Sequence, residues 1–386
     1  MRSVLIRGPL LSISGYGTHT RQLYKWLENY NCKITTQILP WGITPWYINS
    51  EIDNGLIGRI MSNSSPPEQP PEISFQLQLP NEWDPSLAKF NVGISAFVET
   101  DTCNPEWLNC CNKMNHVIVP SEHIKNTIKN TGIVTTPITV IPEAFYDELL
   151  KEEPSADLDL NLSTDFNFLM FGQITGTDPY NDRKNTFFSI KWLCEEFAGD
   201  PEVGIVLKTN HGTNTTIDRK IVINQMTALL NECRIGPYPK FYLLHGMMTP
   251  DEMYSVYHNP KIKGLVAPTR GEGFGLPLLE ASVARLPVLA TNWSAHKDFL
   301  NQGNWIKFEY DLKEIPDSKK DGQIFVPGSK WAEVREQDFK KKVSKFRNHS
   351  AKPEEWAIDL REKLIKSHSQ EAISRQYHKV FGELLQ

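Results

Sequence analysis

Short apolar runs alternate along the chain with longer stretches whose apolar residues recur at helical spacing. The first part contains the strand-like runs "SVLIR", "KITTQIL", "ISFQLQL", "NVGISAFV", "HVIVP" and "PITVIP", with "SGYGTHTRQLYKWLENY" as the first helical stretch between them. Apolar runs bounded by turn residues are typical of buried strands. Their alternation with helices predicts an α/β fold with a parallel sheet.

The pattern stops at the charged, proline-containing segment "KEEPSADLDLNLSTD" and then restarts. The second part contains the strand-like runs "FNFLMFG", "VGIVLKT", "FYLLHG", "KGLVAPT" and "LPVLATN". The helical stretches between them are "RKNTFFSIKWLCEEF", "DRKIVINQMTALLNEC", "PDEMYSVYHN" and "GLPLLEASVA". Because 386 residues exceed the usual size of one hydrophobic core, we predict two Rossmann-like domains, residues 1–160 and 161–350, followed by helices in residues 351–386.

The composition narrows the classes of function. Hydrophobic residues make up 40% and charged residues 23% of the chain, as in ordinary globular proteins. The net charge of −5 gives no overall attraction to nucleic acid, so no nucleic-acid partner is expected. We find neither a signal-peptide pattern nor an apolar run long enough to span a membrane, which predicts a cytoplasmic protein without a transmembrane segment; peripheral attachment to a membrane stays open.

The turn "TRGEGFG" (269–275) lies between a predicted strand and a helix whose first turn contains Pro277. Backbone N–H groups at such a helix start, together with glycines, favour binding of a phosphate or a sugar hydroxyl. Glu280 follows about one turn into the helix, where a carboxylate can accept hydrogen bonds from a ribose diol. Glu272 lies in the turn itself, where it can face a sugar ring. The alternative is an ordinary capping turn with a solvated Glu280.

Two other chemistries are less well supported by the residues. The pair Asp157-Leu-Asp159 has the spacing of a metal-binding DxD pattern, but it lies in the charged linker rather than at the end of a strand, so no metal site is expected. A nicotinamide-dependent oxidoreductase would need the glycine fingerprint GxGxxG after a strand, and "SGYGTH" lacks the third glycine.

The segment "EGFGLPLLE", preceded by an apolar strand and followed by "PVLAT", resembles the nucleotide-sugar site of GT-B-fold retaining glycosyltransferases, specifically glycosyltransferase family 4. Three other segments resemble the same family: "SISGYGTHTRQL" its amino-terminal glycine loop, "VIVPSEHIKNTIKNTGI" with "PITVIPEAF" its "vPS…viP" region, and "FGQITGTDPYNDRKN" the start of its donor domain. Their order along two Rossmann-like halves extends the resemblance over most of the chain.

This resemblance implies an α/β protein of GT-B fold, with a cleft between two Rossmann-like domains and a carboxyl-terminal helical segment crossing back to the first. It implies acceptor binding mainly in the first domain, donor binding in the second, and no cofactor, with protein cations in place of Mg²⁺. The predicted function is transfer of a sugar from a nucleoside diphosphate sugar to a hydroxyl of a glycan, a lipid-linked glycan or a similar acceptor, with retention of configuration, as in polysaccharide biosynthesis. The alternative is a catalytically silent nucleotide-sugar-binding or scaffold protein of the same fold.

The resemblance also assigns roles to single residues. Lys184 in "DRKN" corresponds to the family's diphosphate-binding lysine, and a departing diphosphate needs positive charge. Because cations are disfavoured at a helix N-terminus, the adjacent pair Arg183 and Lys184 suggests an anion between them. The family carries arginine where Gln173 stands here, so Arg183 or Lys208 is expected to replace that phosphate contact.

Gly15 and Gly17 match the family loop that lies against the donor phosphates or the acceptor; the alternative is an ordinary turn. Glu99 falls near the place where several family members have a histidine. A carboxylate there can stabilise oxocarbenium character or orient an acceptor hydroxyl, or it marks a subfamily. The predicted catalytic residues are Glu272, Lys184 and Glu99, and the predicted donor-binding residues are Gly15, Gly17, Arg183, Lys184, Lys208, Gly273, Phe274, Gly275, Leu276 and Glu280.

Overall fold

A computed structural model describes residues 1–67, 69–153, 158–173 and 178–386 of the chain. The chain divides into two compact units. The first unit contains Met1–Ala144, Asp321–Val326 and His368–Gln386, and the second contains Phe145–Lys320 and Pro327–Ser367. The domain bounds derived from the sequence stay a prediction.

The first unit is built on a parallel six-stranded sheet. Its strands are β1 (Arg2–Gly8), β2 (Cys32–Ile38), β3 (Ile73–Leu77), β4 (Phe90–Ile94), β5 (His116–Val119) and β6 (Ile138–Val140). The strands lie in the order β2-β1-β3-β4-β5-β6, so the direction of the chain across the sheet reverses between β1 and β3. In open parallel sheets, ligands bind beyond the carboxyl ends of the strands at such a reversal.

The second unit contains another parallel six-stranded sheet and a small antiparallel pair. The sheet consists of β7 (Phe166–Gln173), β8 (Val203–Asn210), β9 (Lys240–His245), β10 (Ile262–Ala267), β11 (Val288–Thr291) and β12 (Ile306–Phe308). Its order, β12-β11-β10-β7-β8-β9, reverses between β7 and β10. The antiparallel pair is formed by β13 (Tyr310–Glu314) and β14 (Lys330–Val334).

Helices cover the two sheets. They are α1 (Gly15–Leu27), α2 (Leu56–Ser62), α3 (Glu106–Cys111), α4 (Glu122–Thr131), α5 (Thr186–Glu196), α6 (Thr216–Cys233), α7 (Pro250–Tyr257), α8 (Leu276–Val283), α9 (Lys297–Leu300), α10 (Glu336–Asn348), α11 (Ala351–His368) and α12 (Gln370–Leu385). Short 3₁₀ helices span Pro80–Glu82, Asp147–Leu150, Pro179–Asn181 and Asp317–Lys319. Among the residues that the structure describes, no helix combines the length and the apolar character needed to cross a bilayer.

Apolar strand residues form the cores because helices cover both faces of each sheet. In the second unit, Phe168, Ile205 and Leu207 are fully buried, as the uninterrupted apolar runs "FNFLMFG" and "VGIVLKT" predict. In the first unit, α12 packs its apolar face against α1, where the rings of Trp26 and Tyr377 stack with centroids 4.9 Å apart.

The α/β class predicted from the sequence is confirmed, including every predicted strand. The apolar patterns did not predict the helices α2, α3 and α9 or the strands β12 to β14, which are all short. The predicted helix "RKNTFFSIKWLCEEF" begins at Thr186, so Arg183 and Lys184 lie in the preceding loop rather than in the helix.

Candidate functional site

Glu272 lies at the strand reversal of the second sheet, in the loop between β10 and α8. Its side chain is only 6% exposed, and its two carboxylate oxygens contact two different cations. Lys184 Nζ lies 2.7 Å from Oε1, and Arg183 Nη1 lies 3.2 Å from Oε2. Both cations belong to the loop that follows β7. The anion that the sequence suggested between Arg183 and Lys184 is therefore present in the protein itself, as Glu272.

The charge state of Glu272 follows from two opposing effects. Burial on its own raises the pKa of this carboxyl, but the charges of Lys184 and Arg183 and the hydrogen bond from Lys184 outweigh it and lower the pKa to about 2. Glu272 is therefore ionised at neutral pH. Two cations and one carboxylate leave one net positive charge in this group.

Backbone contacts fix the two loops against each other. Arg183 Nη1 donates to the carbonyl of Gly271 at 2.6 Å, and the N–H of Arg270 donates to the carbonyl of Arg183 at 2.8 Å. The N–H of Glu272 donates to Ser294 Oγ at 2.9 Å. Because buried backbone groups are costly to leave unpaired, these bonds hold Glu272 and its cations in one arrangement.

Asp182 sets the start of α5 and the position of Lys184. Its carboxylate accepts from the N–H of Lys184 at 3.0 Å and from the N–H of Thr186 at 2.5 Å. Between them, Asn185 adopts a left-handed backbone with φ of 57°, a conformation that asparagine tolerates better than most residues. Asp182 therefore satisfies the N–H of the first helical residue, Thr186, and the left-handed backbone of Asn185 explains why the helix begins later than predicted.

The glycine turn before α8 has the predicted form. Gly275 has φ of 103°, which favours glycine, and immediately precedes the first helical residue, Leu276. Phe274 is buried with its ring centroid 5.4 Å from that of Phe299, which anchors the turn. Gly273, Phe274 and Gly275 thus precede the first residue of α8, Leu276, at the amino-terminal end of that helix. Their donor-binding role stays a prediction.

Glu280 is not the solvated helix residue of the alternative interpretation. It is 7% exposed, and Tyr257 donates its hydroxyl hydrogen to Oε2 over 2.8 Å. Burial raises the pKa of Glu280 to about 7, and the bond from Tyr257 offsets only part of that increase. The carboxyl is poised between its neutral and ionised forms near neutral pH.

This raised pKa gives a testable dependence of stability on pH. The folded state holds the Glu280 proton up to about pH 7, whereas the unfolded carboxyl loses it near its ordinary value of 4.5. Its contribution to the free energy of unfolding is therefore complete below about pH 4.5 and is lost as the pH rises to 7. In the unchanged protein, we expect Glu280 to lower the free energy of unfolding by about 3 kcal/mol between pH 4.5 and 7. This decrease should be absent in Glu280→Gln. Denaturant titrations of both proteins from pH 4.5 to 8 measure it; parallel curves would contradict the pKa.

Lys208 lies near the carboxyl end of β8, paired in register with Phe171 of β7. It is buried, and its Nζ donates to the carbonyl of Gly246 at 2.5 Å and to Asn210 Oδ1 at 3.2 Å. Burial lowers the pKa of Lys208 to about 8. Contact with a donor phosphate stays a prediction for this residue. The side chain of Gln173, at the end of β7, lies outside the described part of the structure.

The two glycines of the first unit differ in their surroundings. A Cβ at Gly17 would lie 2.0 Å from the carbonyl oxygen of Ser12, so packing alone requires glycine there. A Cβ at Gly15 would meet nothing within 4 Å. Ser14 caps α1 by accepting from the N–H of Gly17 at 3.1 Å. Gly17 is thus explained by the turn, and a ligand role for Gly15 stays a prediction.

Glu99 is half-buried in the loop after β4. Tyr16, which lies between the two glycines, joins this loop to the start of α1. Its hydroxyl lies 3.1 Å from Ser95 Oγ and accepts from the N–H of Ala96 at 3.0 Å. Its ring stacks on Trp41 with centroids 3.8 Å apart. Tyr16 therefore fixes the Glu99 loop against the glycine loop, and a tyrosine between two glycines was the signal that sequence reasoning passed over.

Within the described ranges, no three His, Cys, Asp or Glu side chains are grouped so that they could hold a metal ion. Asp157 of the DxD pattern lies outside the described residues. Chemistry that needs no metal stays a prediction.

Solved structures resemble this arrangement over nearly its whole length. Sucrose-phosphate synthase from Thermosynechococcus elongatus matches with a TM-score of 0.66 and 13% identity, over 100% of this chain and 99% of that one. Anabaena HepE in complex with UDP and glucose matches with a TM-score of 0.64 and 12% identity, over 99% and 100%. The lipopolysaccharide outer core galactosyltransferase WaaB matches with a TM-score of 0.59 and 14% identity, over 99% and 100%.

These matches decide the fold. The chain has the GT-B fold. No protein-family model and no curated protein sequence matches it. In GT-B terms, the group formed by Glu272, Lys184 and Arg183 lies at the strand reversal of the second Rossmann-like sheet. The roles assigned to these residues stay predictions, because identities this low establish the fold alone.

Proposed function

We propose that this protein is a retaining glycosyltransferase that moves a sugar from a nucleoside diphosphate sugar to an acceptor hydroxyl. The observation that carries the proposal is the buried carboxylate of Glu272 between Lys184 and Arg183 at the strand reversal of the second sheet. Two of the similar GT-B structures support it, since one is a galactosyltransferase and another was obtained with UDP and glucose.

The chemistry requires positive charge where the diphosphate leaves and a hydrogen-bond acceptor where the sugar binds. Lys184 and Arg183 supply the charge, and backbone N–H groups around Gly273 to Leu276, at the turn before α8, supply further donors. Glu272 accepts hydrogen bonds from the sugar hydroxyls, and Glu280 accepts from the ribose diol. The buried setting strengthens each of these interactions relative to water.

The reaction exchanges one C–O bond for another at the anomeric carbon. The bond from this carbon to the diphosphate oxygen breaks, and the acceptor hydroxyl oxygen bonds to the same carbon from the same face. The acceptor proton passes to the departing diphosphate. This front-face course gives retention, and cations of the protein take the place of Mg²⁺. The acceptor is a glycan, a lipid-linked glycan or a similar molecule, and the protein acts in the cytoplasm or at a membrane surface.

A thermal-shift screen with UDP, GDP, ADP and their sugars tests the proposal. A ligand present at 100 times its Kd stabilises the folded state by about 2.7 kcal/mol. We expect one base to be preferred, and we expect slow hydrolysis of the corresponding sugar donor that persists in excess EDTA. The preferred nucleoside diphosphate should bind Glu280→Ala about ten- to a hundredfold more weakly than the unchanged protein.

Three outcomes would contradict parts of this proposal. No stabilisation by any nucleotide would contradict donor binding altogether. Binding without hydrolysis, and without transfer to any tested acceptor, would favour a catalytically silent nucleotide-sugar-binding protein. Activity that EDTA abolishes and Mn²⁺ or Mg²⁺ restores would contradict the metal-independent mechanism.

A further inference from the structure

Arg270 is a fully buried cation two residues before Glu272. Its guanidinium does not join the cation pair on Glu272 but binds in another direction. Nε lies 2.6 Å from Glu333 Oε1, and Nη2 lies 3.2 Å from Glu333 Oε2. Nη1 donates to the carbonyls of Pro179 at 2.8 Å and Asp182 at 2.5 Å. All three guanidinium nitrogens therefore have partners.

Two aromatic rings complete the surroundings of this guanidinium. Its central carbon lies 5.3 Å from the ring centroid of Trp331 and 5.9 Å from that of Phe188, within the range of cation–π attraction. Two guanidinium nitrogens bind one carboxylate, and the third nitrogen binds two carbonyls. This planar arrangement suits arginine, and a lysine ammonium cannot reproduce it. The site therefore requires the planar shape of the guanidinium as well as its positive charge.

The two carbonyls that Arg270 binds belong to the segment that leads to the cations of the candidate site. Pro179 and Asp182 delimit the segment just before Arg183 and Lys184, and the N–H of Arg270 also donates to the carbonyl of Arg183. Asp182 in turn binds the N–H of Lys184. One side chain thus determines where this segment runs.

The antiparallel pair β13 and β14 holds Arg270 from the other side. Glu333 belongs to β14, and the N–H of Ala332 on the same strand donates to the carbonyl of Arg270 at 2.9 Å. This strand pair contributes no residue to the predicted donor site. Its contacts connect it to that site through Arg270.

We infer that Arg270, held by Glu333, is a positioning residue that places Arg183 and Lys184 to receive the donor diphosphate. This inference rests on the proposed function, because only a donor-binding protein would use the two cations to receive a diphosphate. Arg270 touches no reacting atom and acts through the segment from Pro179 to Lys184. A fully buried arginine is costly to leave without its carboxylate, so the pair acts as a unit.

The test compares Arg270→Lys and Glu333→Gln with a matched control on the same strand pair. Asp311→Asn removes the carboxylate of an ion pair with Arg335, in which both side chains are about half exposed, and exposed pairs contribute little. Glu333→Asp, which keeps the charge and shortens the reach, is a milder variant if the others fold poorly. Hydrogen exchange is measured on peptides spanning residues 179–190, together with Kd values for UDP and UMP, GDP and GMP, and ADP and AMP.

We expect faster exchange of the Lys184 and Thr186 amides in the Arg270 and Glu333 variants, because both amides bind Asp182. The advantage of the diphosphate over the monophosphate in Kd should fall about tenfold, since charge-assisted contacts to the outer phosphate are lost. Asp311→Asn should match the unchanged protein in both measurements. A merely structural defect would weaken both nucleotides by the same factor and leave their ratio unchanged.

Unchanged exchange over residues 179–190, or an unchanged ratio of diphosphate to monophosphate affinity in folded variants, would overturn the positioning role. Failure of the unchanged protein to bind any of the three nucleoside diphosphates would instead overturn the proposed function. The two failures are therefore distinguishable from the same data.

Discussion

Replacing Glu272 by glutamine should abolish most sugar transfer while leaving nucleoside diphosphate affinity intact or stronger. We expect kcat/KM to fall by about 10²–10³, the range observed when one preorganised polar contact to the reacting group is removed. The amide keeps the shape of the side chain but not its charge. Lys184 and Arg183, which now contact this carboxylate at 2.7 and 3.2 Å, become available to the diphosphate. Calorimetric titration with the nucleoside diphosphate, beside turnover of the sugar donor, measures both effects.

The same substitution should destabilise the ligand-free protein. Removing one partner of a buried ion pair costs about 3–5 kcal/mol, because the remaining charge is left uncompensated. The bound diphosphate supplies the missing anion, so the nucleotide should raise the Tm of Glu272→Gln by more than it raises the Tm of the unchanged protein. Glu72→Gln, which removes the carboxylate of a partly exposed ion pair with Arg2, is the control and should change neither quantity. Equal losses of nucleotide affinity and turnover would show that Glu272 binds the nucleotide rather than the sugar.

Replacing Lys184 by methionine should reduce both turnover and nucleotide affinity. Methionine retains the length of the side chain and removes its charge. We expect kcat to fall by about 10²–10³, because the charge on the departing diphosphate loses a cation that is held in place before the reaction. Affinity for the nucleoside diphosphate should fall about tenfold, as for the loss of one charge-assisted contact.

Lys191→Met provides the matched control for this prediction. Lys191 lies on α5 and is partly exposed, with its Nζ 3.9 Å from Glu195 one helical turn away. Its loss should leave both quantities unchanged. If Lys184→Met retained full nucleotide affinity and lost only stability, its role would be limited to neutralising Glu272.

The sequence predicted most of the fold because the apolar runs are short, uninterrupted and bounded by turn residues. It also predicted roles for Glu272, Lys184 and Glu280 one by one, from the glycine turn and the family resemblance, and those roles stay predictions. It did not predict that Glu272 itself is the anion between the two cations, since this depends on β7 and β10 being neighbours in the sheet. Neighbouring strands are set by the order of the whole sheet, which no local pattern encodes.

The supporting residues were missed for a related reason. Arg270 and Glu333 are 63 positions apart, and neither belongs to a periodic pattern or a known spacing. Asp182 was within reach of sequence reasoning, because an aspartate before a helix is a common cap. It was missed because the helix was predicted to begin at Arg183, and the left-handed backbone of Asn185 moves the start to Thr186.

The ion pairs of Glu272 have a consequence for the selectivity of the proposed enzyme and for its turnover cycle. A simple anion such as inorganic phosphate has to compete with Glu272 for Lys184 and Arg183. If the anion displaces Glu272, the buried carboxylate is left without a compensating charge. A sugar diphosphate avoids this penalty, since its sugar hydroxyls offer new hydrogen bonds to the displaced carboxylate. Once the sugar has been transferred, those hydroxyls depart, and Glu272 competes again for Lys184 and Arg183. Glu272 as an internal counter-ion thus favours a ligand that carries both a diphosphate and a sugar. It also promotes release of the nucleoside diphosphate after the sugar has been transferred.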